Sequence, residues 1–212
     1  IYKKKSKVLK KIILISYESE APNILKIANL LRSNSYECLI LEASFFSATK
    51  LSFLPEDQYI GLEKPLKTFN KKFKDGKLNK MPWQKLEKIE KNLLRGRNLR
   101  QIIRSSPEYY HDHHCRYPYY VDNVPDNIRL CFILEIIEWF IDEVEKFKPD
   151  ICFCIQGNYF IKVLAAAMSE SLGYEFCCLT LSRIKNYLVP LDSQFLPIPA
   201  KYFSNETLIN QE

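Results

Sequence analysis

DICFCIQGNYFIKVLAAAMSESLGYEFCCLTL, residues 150–181, decides the fold class. Two apolar runs, 150–156 and 175–181, flank a segment whose apolar residues keep helical spacing. Each run has strand length and little polar alternation, which marks a strand covered on both faces. Asn158 is a fair N-cap for a helix over 159–172, and Gly173 is suited to the left-handed residue with which such a helix ends. Pro149 closes the helical pattern that precedes it. Strand, helix and strand joined this tightly form a parallel pair with a crossover helix.

The same unit opens the chain. KIILIS, Lys11–Ser16, is a buried strand, and Glu20 and Pro22 then begin a helical pattern. Its inward positions are Ile24, Ile27, Ala28, Leu30 and Leu31, and residues 33–36 close it. CLIL, residues 38–41, is the next strand. The two units predict an α/β fold, a Rossmann-like parallel sheet with helices on both faces.

The middle of the chain reads differently. Residues 51–82 mix prolines, aromatics and lysines without a clean period, as a loop-rich insertion with short structure does. Residues 82–104 follow as one helix, with Leu86, Ile89, Leu93 and Leu94 inward and Lys85, Lys88, Lys91 and Arg95 on a basic face. Asp126–Phe147 is the strongest helix, and Glu135, Glu138, Asp142 and Glu145 form one acidic stripe along it. The expected organisation is one domain over 1–190, with an insertion at about 51–104. A proline-bearing tail over 191–212 would lead toward a further, C-terminal domain. The chain begins at Ile1 rather than Met, as a piece of a longer protein does.

Charge is unevenly spread. The net charge is +6, but residues 1–11 hold six lysines and no acids, and residues 64–104 hold fourteen Lys/Arg against three acids. A region this basic suggests an anionic partner. No stretch of 18 residues lacks charge, which argues against a membrane-spanning segment. The seven cysteines form no C-x-x-C pair and sit in apolar runs, as in a reduced, cytoplasmic protein.

Open α/β sheets bind ligands at the carboxyl ends of their strands. Those ends offer Ser16, Tyr17, Glu18 and Ser19 after the first strand, Gln156, Gly157 and Asn158 after the third, and Thr180, Ser182 and Arg183 after the fourth. Asn158 begins a helix, where free N–H groups favour an anion or hydroxyl, and Arg183 supplies fixed positive charge. The turn after the first strand, SYESEAP, holds no glycine, and no Walker loop occurs. Backbone therefore has no close approach to a pyrophosphate, and a bound dinucleotide is not expected.

PEYYHDHHCRYPYY, residues 107–120, contains all three histidines. His111, His113 and His114 lack the spacing that converges metal ligands, so no metal is expected. Imidazoles titrate near neutrality, and Asp112 could orient a neighbouring ring. The candidate acid/base groups are therefore His111, Asp112, His113 and Glu18. The loop precedes a helix that runs to the amino end of a strand, so the helix starts near the ligand edge.

FKPDICFCIQGNYFIKVLAAAMSESLGYEFCCLTLSRIKN, residues 147–186, resembles a segment of bacterial capsular-polysaccharide biosynthesis proteins, which are similar to GT-B glycosyltransferases. The shared pattern is KPD before a strand, a helix ending in LGY, a strand, and SRI. The resemblance implies an N-terminal GT-B domain that binds the acceptor, with a donor-binding domain elsewhere. It implies a nucleotide-sugar donor, a glycan or lipid-linked acceptor, no cofactor, and a cytoplasmic location with peripheral attachment to an anionic inner membrane face. Tyr17, Gln156, Asn158, Ser182 and Arg183 would bind substrate. Two alternatives are a non-catalytic carbohydrate- or partner-binding module of the same fold and a basic RNA-binding protein that stacks bases on Phe69, Phe73 and Trp83. Nucleic acid is disfavoured, because aromatics thin out where the basic helix is strongest.

Overall fold

β1 (Lys11–Ser16) runs through the middle of the molecule, and Ile13, Leu14 and Ile15 are wholly excluded from solvent. A strand with apolar side chains on both faces must be covered on both, and its neighbours follow from that. The computed structural model describes residues 10–17, 20–43, 54–55, 58–76, 83–104, 126–156, 160–181, 188–194 and 196.

β1 pairs in parallel with β2 (Glu37–Glu42) on one side and β4 (Ile151–Ile155) on the other. β3 (Tyr59–Gly61) extends the sheet beyond β2. β5 (Glu175–Leu181) extends it beyond β4, also in parallel, and β6 (Leu188–Leu191) closes that edge antiparallel to β5. The order is β3-β2-β1-β4-β5-β6. The chain thus winds outward from β1 to β3, returns to the centre, and winds outward the other way. That places a topological switch point between β1 and β4, as in doubly wound sheets.

α1 (Ala21–Ser33) covers one face, packing Ala21, Ile24 and Ala28 on Ile12, Leu14, Cys38 and Ile40. The opposite face carries the larger core. It is covered by α2 (Glu63–Lys74), α3 (Trp83–Asn92), α4 (Leu99–Arg104), α5 (Asp126–Phe147) and α6 (Phe160–Leu172). α6 ends at Gly173 with φ of 76°, as the sequence predicts, and the buried Tyr174 hydroxyl donates to the Ala165 carbonyl at 2.6 Å. Buried Cys38, Cys131, Cys152, Cys154 and Cys178 pack as small apolar side chains. Among the described residues no helix is long and apolar enough to cross a membrane.

Four expectations need correction, the first being Leu30 of α1, which is 64% exposed rather than inward because it falls outside the buried arc of Ala21, Ile24 and Ala28. The segment expected to be loop-rich contains β3 and the twelve-residue α2. Only Pro65 and Phe69 of α2 are fully buried, so its apolar period is too sparse to read. The single helix expected over 82–104 is two, broken where Arg95 (φ 52°) and Gly96 (φ 80°) both turn left-handed. Asn98 restarts the helix by accepting from the Gln101 N–H at 3.2 Å, and the Glu90 carboxylate accepts from the Leu99 N–H at 2.8 Å. The region beyond Ser182 supplies β6, whose Pro190 is tolerated because the strand lies at the sheet edge.

The basic and acidic segments meet each other. Lys64 pairs with Glu143 at 3.0 Å, and Lys72 pairs with Glu135, so α2 lies antiparallel along α5. Lys85 of α3 pairs with Glu138 of α5, and Arg95 pairs with Glu170 of α6. Much of the basic excess thus answers acids of this same chain. Each partly exposed pair contributes at most about 1 kcal/mol, so the apolar seam beneath carries the packing.

That seam centres on Phe69, which is wholly buried and meets Phe132 of α5 edge to face at 5.0 Å. Phe69→Ala is expected to cost about 3–5 kcal/mol, read as a lower urea midpoint with an unchanged slope.

Candidate functional site

The carboxyl ends of β1 and β4 flank the switch point, and the chain ties them together there. After Ser16 the backbone turns at once, with the Glu20 N–H donating to the Tyr17 carbonyl at 2.6 Å. That turn delivers Glu20 to the start of α1, where its side chain makes no capping bond. It reaches across the switch point instead. Lys162, in the first turn of α6, donates to both Glu20 oxygens at 2.7 and 2.6 Å.

Lys162 is wholly inaccessible to solvent, and Glu20 is 6% exposed. The ammonium also donates to the Gln156 carbonyl at 3.1 Å and to the Ile155 carbonyl. The Tyr17 ring lies 6.0 Å away. An ammonium group this deep requires such a set of acceptors in place of water. Gln156 itself is left-handed, with φ of 53°. Lys162 therefore holds the last carbonyl of β4 and that of the strained residue after it, and ties both to the turn after β1.

Beside this pair lies a second buried polar group. Ser16 and Glu42 are register partners at the ends of β1 and β2, both fully buried. Strand alternation puts them on the face covered by α1. The Ser16 hydroxyl has no hydrogen-bond partner among the described residues. Burial raises the Glu20 carboxyl above its ordinary value, Lys162 opposes that, and the Glu42 charge adds to it. Burial, then Glu63 and Glu42, likewise push the Tyr59 hydroxyl upward. The rim of β1–β3 is thus electronegative, and Lys162 is the cation that answers it at the switch point.

The sequence-predicted site divides accordingly. Tyr17 and Gln156 stand at the switch point as expected. Tyr17 is only 6% exposed and packs in the larger core, so its ring walls the ion pair rather than facing solvent. Gln156 is exposed and contributes its carbonyl to Lys162. Glu18, His111, Asp112, His113, Asn158, Ser182 and Arg183 lie outside the described residues, as does His114. Among the described residues no group of His, Cys, Asp and Glu is placed to hold a metal ion.

Ser16 is among the strand-end candidates that the sequence offers, whereas Glu20, Lys162 and Glu42 are not. Lys162 carried the one available signal, as a charged residue on the apolar face of an otherwise apolar helix. Comparison with protein-family models, curated proteins and solved structures finds no match to this chain.

Removing one partner of a buried ion pair strands the other. Lys162→Met is expected to cost about 3–5 kcal/mol in chemical denaturation, and Lys162→Met with Glu20→Leu to recover most of that. The single variant should also depend on pH. Without its counter-ion, Glu20 is tolerated only when neutral. Burial already raises its folded pKa in the wild type, and losing Lys162, which opposes that rise, raises it further, so the stability is complete below the ordinary carboxylate range and lost as pH rises through the raised value. The deficit of Lys162→Met relative to wild type is therefore expected to grow from about pH 4 to pH 8. A deficit independent of pH would show that Glu20 does not feel the loss.

Proposed function

We propose that this chain is the acceptor-side domain of a GT-B-type glycosyltransferase that transfers a sugar from a nucleotide-sugar to a glycan or lipid-linked acceptor in surface-polysaccharide synthesis. The observation that carries the reading is the switch point. The turn after β1 has no glycine, and it is locked to the end of β4 by Glu20 and Lys162. A turn without glycine offers no backbone cradle for a pyrophosphate, which fits an acceptor-side rather than a nucleotide-binding domain. The resemblance of residues 147–186 to capsular-polysaccharide proteins points the same way.

In the proposed reaction an acceptor hydroxyl oxygen attacks the anomeric carbon of the donor. The new carbon–oxygen bond forms as the bond to the phosphate oxygen breaks, and nucleoside diphosphate leaves. The hydroxyl proton passes to a general base, one of His111, Asp112, His113 or Glu18. α5 meets the amino edge at its carboxyl end, just before β4, so its amino end points toward the ligand edge, and residues 111–113 precede it in the chain. Gln156, Asn158 and Ser182 would position the acceptor, and Arg183 would meet the diphosphate. Basic side chains and helix N-termini can hold a diphosphate without a metal.

The test is transfer or hydrolysis across a panel of nucleotide-sugars, followed by mass spectrometry on the full-length gene product. Replacing the general base is expected to lower turnover at least about a hundredfold, while Arg183→Ala raises KM for the donor. If His111→Ala, Asp112→Asn, His113→Ala and Glu18→Gln all keep full turnover, the proposed base assignment fails.

A further inference from the structure

We infer that α2 carries a docking surface for an anionic phospholipid bilayer. The inference deepens the reading above, since it fixes where that domain would meet a lipid-linked acceptor. The lysines of α2 divide into two sets. Lys64 and Lys72 turn inward to Glu143 and Glu135 of α5. Lys67, Lys71 and Lys74 are exposed and have no ionic partner among the described residues. Their spacing of four and three places them on one line along the helix, about 10 Å long. The helix is pinned beneath them by Pro65 and Phe69, so the row is presented on a fixed support.

Two large apolar side chains are half-exposed beyond the row, Phe73 about 100° round the helix from Lys74 and Trp83 on the following helix. Phe73 is 51% exposed at the end of α2, stacked on the buried Phe69 at 6.2 Å, and Trp83 is 55% exposed at the start of α3. A row of lysines with half-exposed aromatics suits the headgroup layer of a bilayer, where rings enter the interface and ammonium groups meet lipid phosphates. A single straight row makes no groove that could follow a nucleic-acid backbone, so the lipid surface is favoured over RNA.

Position relates this surface to the site. α2 leaves the carboxyl edge of the sheet at Gly61. It then runs from Glu143 toward Glu135, away from the amino-edge end of α5. It therefore projects on the side where the switch point opens, so a bilayer on α2 would bring lipid-borne acceptors to the crevice.

The test is co-sedimentation of the full-length protein with vesicles of phosphatidylglycerol and phosphatidylcholine, against phosphatidylcholine alone. Wild type is expected to partition onto the anionic vesicles and to be released by high salt. Lys67→Gln, Lys71→Gln and Lys74→Gln together are expected to lower the partition coefficient about a hundredfold, at roughly fivefold for each lysine near an anionic leaflet. An unchanged circular dichroism spectrum and urea midpoint confirm that the variant folds. Phe73→Ser with Trp83→Ser is expected to weaken binding in a way that salt does not reproduce. Equal binding to neutral and anionic vesicles, or a triple variant that binds like wild type, overturns the proposal. So does tighter binding to single-stranded RNA than to vesicles, lost in the same triple variant. Because no sugar substrate is used, the result is separate from that of the transfer assay. A membrane-binding protein without transferase activity would retain the surface and lose only the proposed function.

Discussion

The Lys162–Glu20 pair spans the point where the sheet reverses its winding. A parallel sheet that winds outward from its centre in both directions has strand ends diverging at the switch point, and nothing in the strand ladder closes the gap above β1 and β4. Here one ammonium satisfies the carboxylate delivered by the β1 turn and two carbonyls at the end of β4. The cost of burying the two charges is large and is offset only because each donor and acceptor is used. The interaction therefore contributes definition more than stability: it fixes one relative placement of the two turns. Any ligand at the crevice would meet a floor whose shape is set before it arrives, which reduces the ordering required on binding.

The second constraint is charge complementarity within the chain. α5 is apolar toward the sheet and acidic on the flank that meets α2 and α3. Those helices have few inward apolar residues of their own. Pro65 and Phe69 serve for α2, and Leu86 and Ile89 for α3. With so narrow an apolar seam, position along α5 is specified by ion pairs, which discriminate between registers even where they add little stability. A basic segment read in isolation suggests an external anion. Seen against α5, Lys64, Lys72 and Lys85 are already answered within the chain, and the exposed lysines on the far side of α2 are among those left for one.

How much could be read beforehand follows from the same physics. The four central strands and the helices α1, α5 and α6 bury wide apolar faces, so their periods stand out in the sequence, and Gly173 marks the end of α6. β3 and β6 are edge strands of three and four residues, too short for a pattern, and one contains a proline. The break between α3 and α4 was marked by Gly96 and Asn98, but a helical period that continues on both sides hides it. The site was legible only as an edge. Strand ends nominated Tyr17 and Gln156, whereas the pairing of Glu20 with Lys162 spans 142 positions and depends on strand order, which local patterns do not encode.

The buried polar groups also constrain what the crevice can accept. Ser16 and Glu42 lie side by side at the rim of β1 and β2, on the α1 face. Burial raises the carboxyl of Glu20 and the hydroxyl of Tyr59, and Glu42 adds a smaller contribution to each, so its field reaches the turn after β1 and the edge strand β3. A phosphate brought to the β1–β2 side of the switch point would meet this negative field without a glycine-rich turn to supply compensating N–H groups. The electrostatics of the rim thus disfavour an anion on the β1–β2 side of the switch point, an asymmetry that follows from strand order and buried charge alone.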